Sequence, residues 1–193
     1  METTPCSIDG VIVTTRLAGR MEDTMQAFAV RAACFIGEQD VPYSEEFDGQ
    51  DFGATHVVAY LRNEPVGALR IRWFQSFAMP ERLAVMQRFR GHQVGQLLLE
   101  RARALAESRG CNILYTRVSP DHAGYFEKQG WRRLDDGQTL GARPTAALVR
   151  PVDPAKQNAE LADTDAVALS TQYRLDMPVG AVEQRKRVIS DTK

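Results

Sequence analysis

The stretch Leu83–Gly110, LAVMQRFRGHQVGQLLLERARALAESRG, decides how the chain is read. Leu83, Ala84, Val85 and Met86 form a short apolar run, as in a strand with little solvent exposure. Arg88-Phe89-Arg90-Gly91-His92 is a basic turn. From about Gln93 the apolar residues Val94, Leu97, Leu98, Ala102, Leu105 and Ala106 recur at helical spacing. Gln96, Glu100, Arg103 and Glu107 fall on the opposite face. Gly110 stands where a helix-ending glycine belongs. The first turn of such a helix leaves backbone N–H groups without intrahelical partners, and the helix dipole adds partial positive charge there. Gly91 lets the chain turn, Gly95 lets it approach a ligand closely, and Arg88 and Arg90 add formal charge. Together these favour a phosphate or pyrophosphate. An ordinary strand–turn–helix with a solvated basic turn fits the loop equally well.

The 193 residues suit one domain plus an appendage. A hydrophobic content of 44% and a charged content of 25% are ordinary for a globular protein. The net charge of −1 gives no global electrostatic case for nucleic acid, so any anion site is local. Cys6, Cys34 and Cys111 are odd in number, widely spaced and outside any metal motif. With no export signal at the N-terminus and no apolar run of membrane length, the expectation is a cytoplasmic protein with reduced thiols and no membrane partner. His56, His92 and His122 are too scattered for a metal site and read as solvated polar residues, so no metal is expected.

Along the chain, Met1–Gly10 reads as a loose end and Val11–Leu17 as a strand. Glu22–Glu38 reads as a helix with Met25, Phe28, Ala29, Ala32, Phe35 and Ile36 on its apolar face. The segment GEQDVPYSEEFDGQDFGATH follows, a loop with one helical turn at most. Its Glu45, Glu46, Asp48 and Asp51 suggest either a solvated surface or an acidic mouth that attracts an amine. Thr55–Arg62 and Val66–Phe74 read as strands joined at Asn63-Glu64-Pro65, the second with an apolar face and a polar face bearing Arg70 and Arg72. Ser76–Pro80 reads as a break. After Gly110 come a strand (Cys111–Val118), a short helix capped by Ser119-Pro120 and ending near Gln129, and two strands near Trp131–Leu134 and Thr145–Val152. The expected division is a domain over residues 1–152 and an extension over 153–193 with a helix near Pro154–Leu169. The extension could be a packing element, a tail or the arm of a homodimer.

Arg90-Gly91-His92-Gln93-Val94-Gly95 resembles the coenzyme A pyrophosphate loop of the GNAT N-acetyltransferase superfamily, (Q/R)-x-x-G-x-(G/A). Arg90 and Gly95 match its ends, and Gln93 stands where the family usually has glycine. The preceding LAV run and the later Tyr125-Phe126-Glu127-Lys128-Gln129-Gly130-Trp131, similar to (F/L)-Y-E-K-x-G-F, occur in the family's order over roughly Val11 to Val149. The resemblance implies an α/β fold: a mixed, mostly antiparallel sheet with helices on both faces, in which the organising strand and the next one splay to admit coenzyme A. It implies an enzyme that moves an acetyl group from acetyl-coenzyme A to a primary amine of a small molecule or peptide. Backbone groups of Leu83, Ala84 and Val85 would take the pantetheine arm. Those of Arg90, Gly91, His92, Gln93, Val94, Gly95 and Gln96 would take the pyrophosphate.

Glu81, just before the strand, is the candidate general base, with Glu45 and Glu46 in reserve. A surface glutamate paired with an arginine is the competing reading of Glu81. The candidate general acid is Tyr125, since Phe126 occupies the family's tyrosine position and has no proton to give. Adjacent helical side chains diverge by about 100°, so Tyr125 reads equally as an aromatic with its hydroxyl in water. Two alternatives stay open. One is a longer-chain acyltransferase of the autoinducer or N-acyl amino acid synthase type, with which Arg31 and Glu38 are compatible. The other is a non-catalytic coenzyme A-binding module.

Overall fold

The computed structural model describes residues 6–75, 77–134 and 144–153. The extension expected after residue 152 therefore lies, apart from Asp153, outside the described residues. The strands are β1 (Ser7–Ile8), β2 (Val11–Leu17), β3 (Thr55–Leu61), β4 (Glu64–Trp73), β5 (Phe77–Val85), β6 (Ile113–Val118), β7 (Arg132–Leu134) and β8 (Ala146–Pro151). The helices are α1 (Met21–Arg31), α2 (Tyr43–Glu46), α3 (Val94–Ser108) and α4 (Pro120–Glu127), and a π-helical turn, Ala32–Gly37, prolongs α1. The hydrogen-bonded strand order is β1-β2-β3-β4-β5-β6-β8-β7. β1–β2, β2–β3, β3–β4, β6–β8 and β7–β8 pair antiparallel, while β5 and β6 run parallel at Phe77↔Ile113 and Ala78↔Leu114. This is the mixed, mostly antiparallel α/β sheet expected. Among the described residues no helix is long and apolar enough to cross a membrane.

The chain divides into two compact units. The first holds residues up to 47 together with 51–72 and 80–105. Its core sets Ala27, Val30 and Cys34 against Val58, Tyr60, Ala68 and Ala84. Gly67 of β4 permits α3 to come close: a Cβ there would lie 3.0 Å from Val94 Cγ1, 3.1 Å from Leu98 Cδ1 and 3.2 Å from the Ala84 carbonyl oxygen. In the second unit Phe77, Met79, Tyr115, Leu134, Ala147 and Val149 form the core, with Phe74 and Phe77 stacked at 4.5 Å.

Several sequence expectations need correction. The organising strand begins at Phe77, not Leu83, because Phe77, Ala78, Met79 and Pro80 are buried. Pro80 is carried inside it, as a strand allows where the ladder needs no donor. Glu81 therefore lies within a strand. The β3–β4 hairpin turns at Arg62-Asn63, with Arg62 at φ 58°, and Glu64 and Pro65 already belong to β4. The buried face of α1 is Ala27, Val30 and Arg31, whereas Met25 is 62% exposed. The apolar periodicity left Arg31 out of the face, and the face was rotated accordingly. In β4 both faces are buried from Val66 to Arg72, the two arginines included.

A Gly67→Ala variant is expected to lose roughly 1–3 kcal/mol of stability, because the added methyl meets backbone on one side and two buried side chains on the other. Urea unfolding measures it; an unchanged midpoint would show that α3 yields.

Candidate donor loop and buried charge ring

The loop before α3 takes its shape from left-handed residues. A short 3₁₀ turn, Gln87–Phe89, buries Phe89. Gly91 then lies at φ 85° and Gln93 at φ 63°. Glutamine in that conformation costs roughly 1–2 kcal/mol, so the backbone makes a glycine-type turn without glycine. The Leu97 N–H donates to the Gln93 carbonyl at 3.0 Å. The amides of Val94, Gly95 and Gln96 thus fall in the first turn, which has no intrahelical acceptors for them. The Cys6 thiol donates to the His92 carbonyl at 3.0 Å and ties β1 to the loop. The two loop arginines are not bare charges. Arg88 pairs with Glu64, and Arg90 pairs with Glu38 while its Nε donates to the Val85 carbonyl at 2.9 Å. The positive potential here therefore rests chiefly on the amides and the helix dipole.

Two acids of the acidic segment, Glu46 and Asp51, are turned into the protein and away from solvent. Glu46 is fully buried, with Oε1 2.6 Å from Arg31 Nε. Arg31, also fully buried, reaches Asp51 Oδ1 at 2.5 Å. Arg70 Nη1 lies 3.2 Å from the same oxygen, and Arg70 Nε donates to Glu81 Oε1 at 2.9 Å. Arg82 Nε sits 3.3 Å from Glu46 Oε2, at ion-pair distance without hydrogen-bond alignment. The path Glu81–Arg70–Asp51–Arg31–Glu46–Arg82 alternates in sign and returns to its start, since Arg82 follows Glu81 in the chain. Consecutive strand residues normally face opposite ways. Arg82, at φ 52°, breaks the strand geometry and joins the same network as Glu81.

This geometry pulls the ring's titrations in different directions. Burial raises the pKa of Glu46 against the pull of Arg31 and Arg82. Burial acts the same way on Asp51, but the hydrogen bonds and charges of Arg31 and Arg70 outweigh it and its pKa is lowered. His56, expected in solvent, is 5% exposed and stands edge-on to Phe28 at 5.4 Å. Its Nε2 lies 3.1 Å from the Asp51 carbonyl oxygen and its Nδ1 has no hydrogen-bond partner among the described residues, an arrangement suited to the neutral ring with Nε2–H donating. Burial lowers its pKa.

The candidate proton carriers are placed as follows. Glu81 Oε1 is shared by Arg70 and by Arg72, whose Nε is 2.8 Å away. The carboxylate of Glu45 makes no ion pair or hydrogen bond among the described residues; its backbone N–H donates to the Pro42 carbonyl at 2.9 Å and its carbonyl accepts from Arg82. Tyr125 is 43% exposed, and burial of the remainder raises its pKa, which keeps the phenol protonated at neutral pH. Phe126 turns inward against Trp131 at 5.5 Å. His92 and His122 are exposed. The ring itself was hidden from periodicity; the one sequence signal was the run of acids with Arg31, Arg70, Arg72 and Arg82 unaccounted for on buried elements.

His56 has a lower pKa folded than unfolded. Its contribution to stability is present above the ordinary value of 6.5 and is lost as pH falls toward the folded pKa, where the unfolded chain takes a proton that the folded one refuses. Unfolding by urea below 6.5 is expected to weaken by up to about 1.4 kcal/mol per pH unit through this residue, and a His56→Gln variant to lose that component. Equal slopes in both proteins would contradict it.

The model of the acetyltransferase (GNAT) domain family matches residues 52–133. A Bacillus subtilis protein named as an acetyltransferase is 28% identical over 137 residues, which is 69% of this chain and 93% of its own length. The crystal structure of an N-acetyltransferase from Lactobacillus plantarum is similar with a TM-score of 0.68 at 22% identity, covering 73% of this chain and 99% of that one. An aminoglycoside 6'-N-acetyltransferase complexed with coenzyme A has a TM-score of 0.59 at 14% identity, over 74% of this chain and 98% of that one. The two structural likenesses concern the fold alone. Residues 52–133 of the chain are thus similar to the acetyltransferase (GNAT) domain, and the whole has the fold of the N-acetyltransferase structures it matches.

Proposed function

We propose that the protein moves an acetyl group from acetyl-coenzyme A directly to a primary amine of a small molecule or peptide. The observation that carries this reading is the loop at the head of α3. Left-handed Gly91 and Gln93 turn the chain so that the first-turn amides follow at once. Those amides suit a diphosphate, with backbone of Arg90–Gln96 as its cradle and Leu83, Ala84 and Val85 as the run beside the pantetheine arm. The donor supplies an activated thioester. The chain's own residues have to position the amine, keep it neutral and offer donors to the carbonyl oxygen.

For the base, the geometry favours Glu45 over Glu81. One oxygen of Glu81 is already engaged by two guanidiniums, whereas the Glu45 carboxylate is uncommitted among the described residues. Glu81 then acts as a positioning residue in the ring. Tyr125 stands as the acid for the departing thiolate; a thiol also leaves readily without help.

Thiol release from acetyl-coenzyme A in the presence of a panel of primary amines tests the reading. Glu45→Gln is expected to lower kcat by about a hundredfold or more with an unchanged thermal midpoint. Glu81→Gln is expected to lower the midpoint first, because it strips a partner from Arg70 and Arg72. A folded Glu81→Gln protein with kcat abolished would return the base to Glu81. Turnover only with hexanoyl or longer donors would replace acetyl by a longer chain.

A further inference from the structure

We propose that Glu38 is a positioning residue of the donor site that competes with the donor's diphosphate for the guanidinium of Arg90, and so sets donor affinity. This rests on the coenzyme A reading of the loop. A guanidinium offers five N–H donors in a planar fork, and a carboxylate and a phosphate seek the same face of it. Arg90 spends Nε on the Val85 carbonyl at 2.9 Å and Nη2 on the Glu38 carboxylate. The partners are 52 residues apart in sequence, so the contact is made by the fold and not by local chain geometry.

The fold fixes Glu38 from both sides. It directly follows the π-helical turn Ala32–Gly37, whose wider winding changes the direction in which the next residue leaves. Within that turn Cys34 is 1% exposed in the core of the first unit. The Val41 N–H donates to the Phe35 carbonyl at 2.9 Å and closes the segment on its far side. Arg31, the residue before the turn, is anchored in the charge ring. Arg90 and Glu38 are consequently 45% and 28% exposed at their side chains, whereas the comparable pair of Arg88 and Glu64 is 60% and 49% exposed. The less exposed pair is the one whose exchange with a phosphate has a measurable effect, since screening weakens the other.

Glutamine at position 38 keeps an oxygen acceptor for Arg90 and removes the charge. Calorimetric titration of the full chain at low salt, with coenzyme A and with pantetheine (which lacks the diphosphate), reads the effect. Glu38→Gln is expected to bind coenzyme A about three- to fivefold more tightly, the range open to an ion pair this exposed. Pantetheine affinity stays the same, and the gain vanishes when Arg90→Gln is the background. Glu38→Asn replaces it if the glutamine variant melts early. An unchanged or weaker affinity for coenzyme A, an equal gain for pantetheine, or a gain that survives Arg90→Gln would each overturn the competition while leaving the donor loop intact. No binding of coenzyme A by the wild-type chain would overturn the donor reading and the competition with it.

Discussion

A guanidinium taken wholly out of water is tolerated only where carboxylates meet it with good geometry, and Arg31 is such a case. It carries Glu46 on one side and Asp51 on the other. Asp51 passes the chain of charge to Arg70, Arg70 passes it to Glu81, and Glu46 returns it to Arg82. Removing one member of such a buried set leaves its neighbour uncompensated, at a cost of roughly 3–5 kcal/mol. The effect on architecture is specific. α1, α2 and the residue Asp51 are tied to β4 and β5 by directional contacts, where an apolar core would have fixed only distance. The left-handed backbone at Arg82 is the local cost of bringing two consecutive strand residues into one network.

The donor loop is built on a different principle. It uses few side-chain charges of its own, because Arg88 and Arg90 are matched by Glu64 and Glu38. Its shape comes from left-handed residues and from the start of a fifteen-residue helix pressed close to β4 over Gly67. Backbone amides need no reorganisation to meet a diphosphate, and they do not change charge with pH. The charge ring, by contrast, contains a carboxylate with a raised pKa and another with a lowered one, beside a buried histidine whose pKa is lowered.

Much of this fold was legible before any coordinates. Val11–Leu17 and the helix from Val94 stand where periodicity and turn residues put them. The resemblance in the Arg90–Gly95 loop and the Tyr125–Trp131 segment pointed to the domain whose family model matches residues 52–133. What stayed hidden has a common physical cause. Hydrophobic periodicity treats arginine and glutamate as solvated, so Arg31, Glu46, Arg70 and Arg72 misled it about the face of α1, the acidic segment and the polar face of β4. The long β5 was cut short because Pro80 reads as a stop. Gln93 was read as a departure from glycine, yet its backbone turns as glycine would. The surroundings of Glu81 were hidden for a related reason: only the distances to Arg70 and Arg72 reveal that its oxygen is shared.

Backbone amides at the head of α3 are expected to receive the donor's diphosphate whether or not Arg88 is present. Amide hydrogen exchange of the full chain with and without saturating acetyl-coenzyme A tests it directly. The account predicts slowed exchange concentrated at residues 90–96 and along 83–85, retained when Arg88 is replaced by Gln. Protection that appears elsewhere, or that disappears from residues 90–96 with Arg88→Gln, would contradict it.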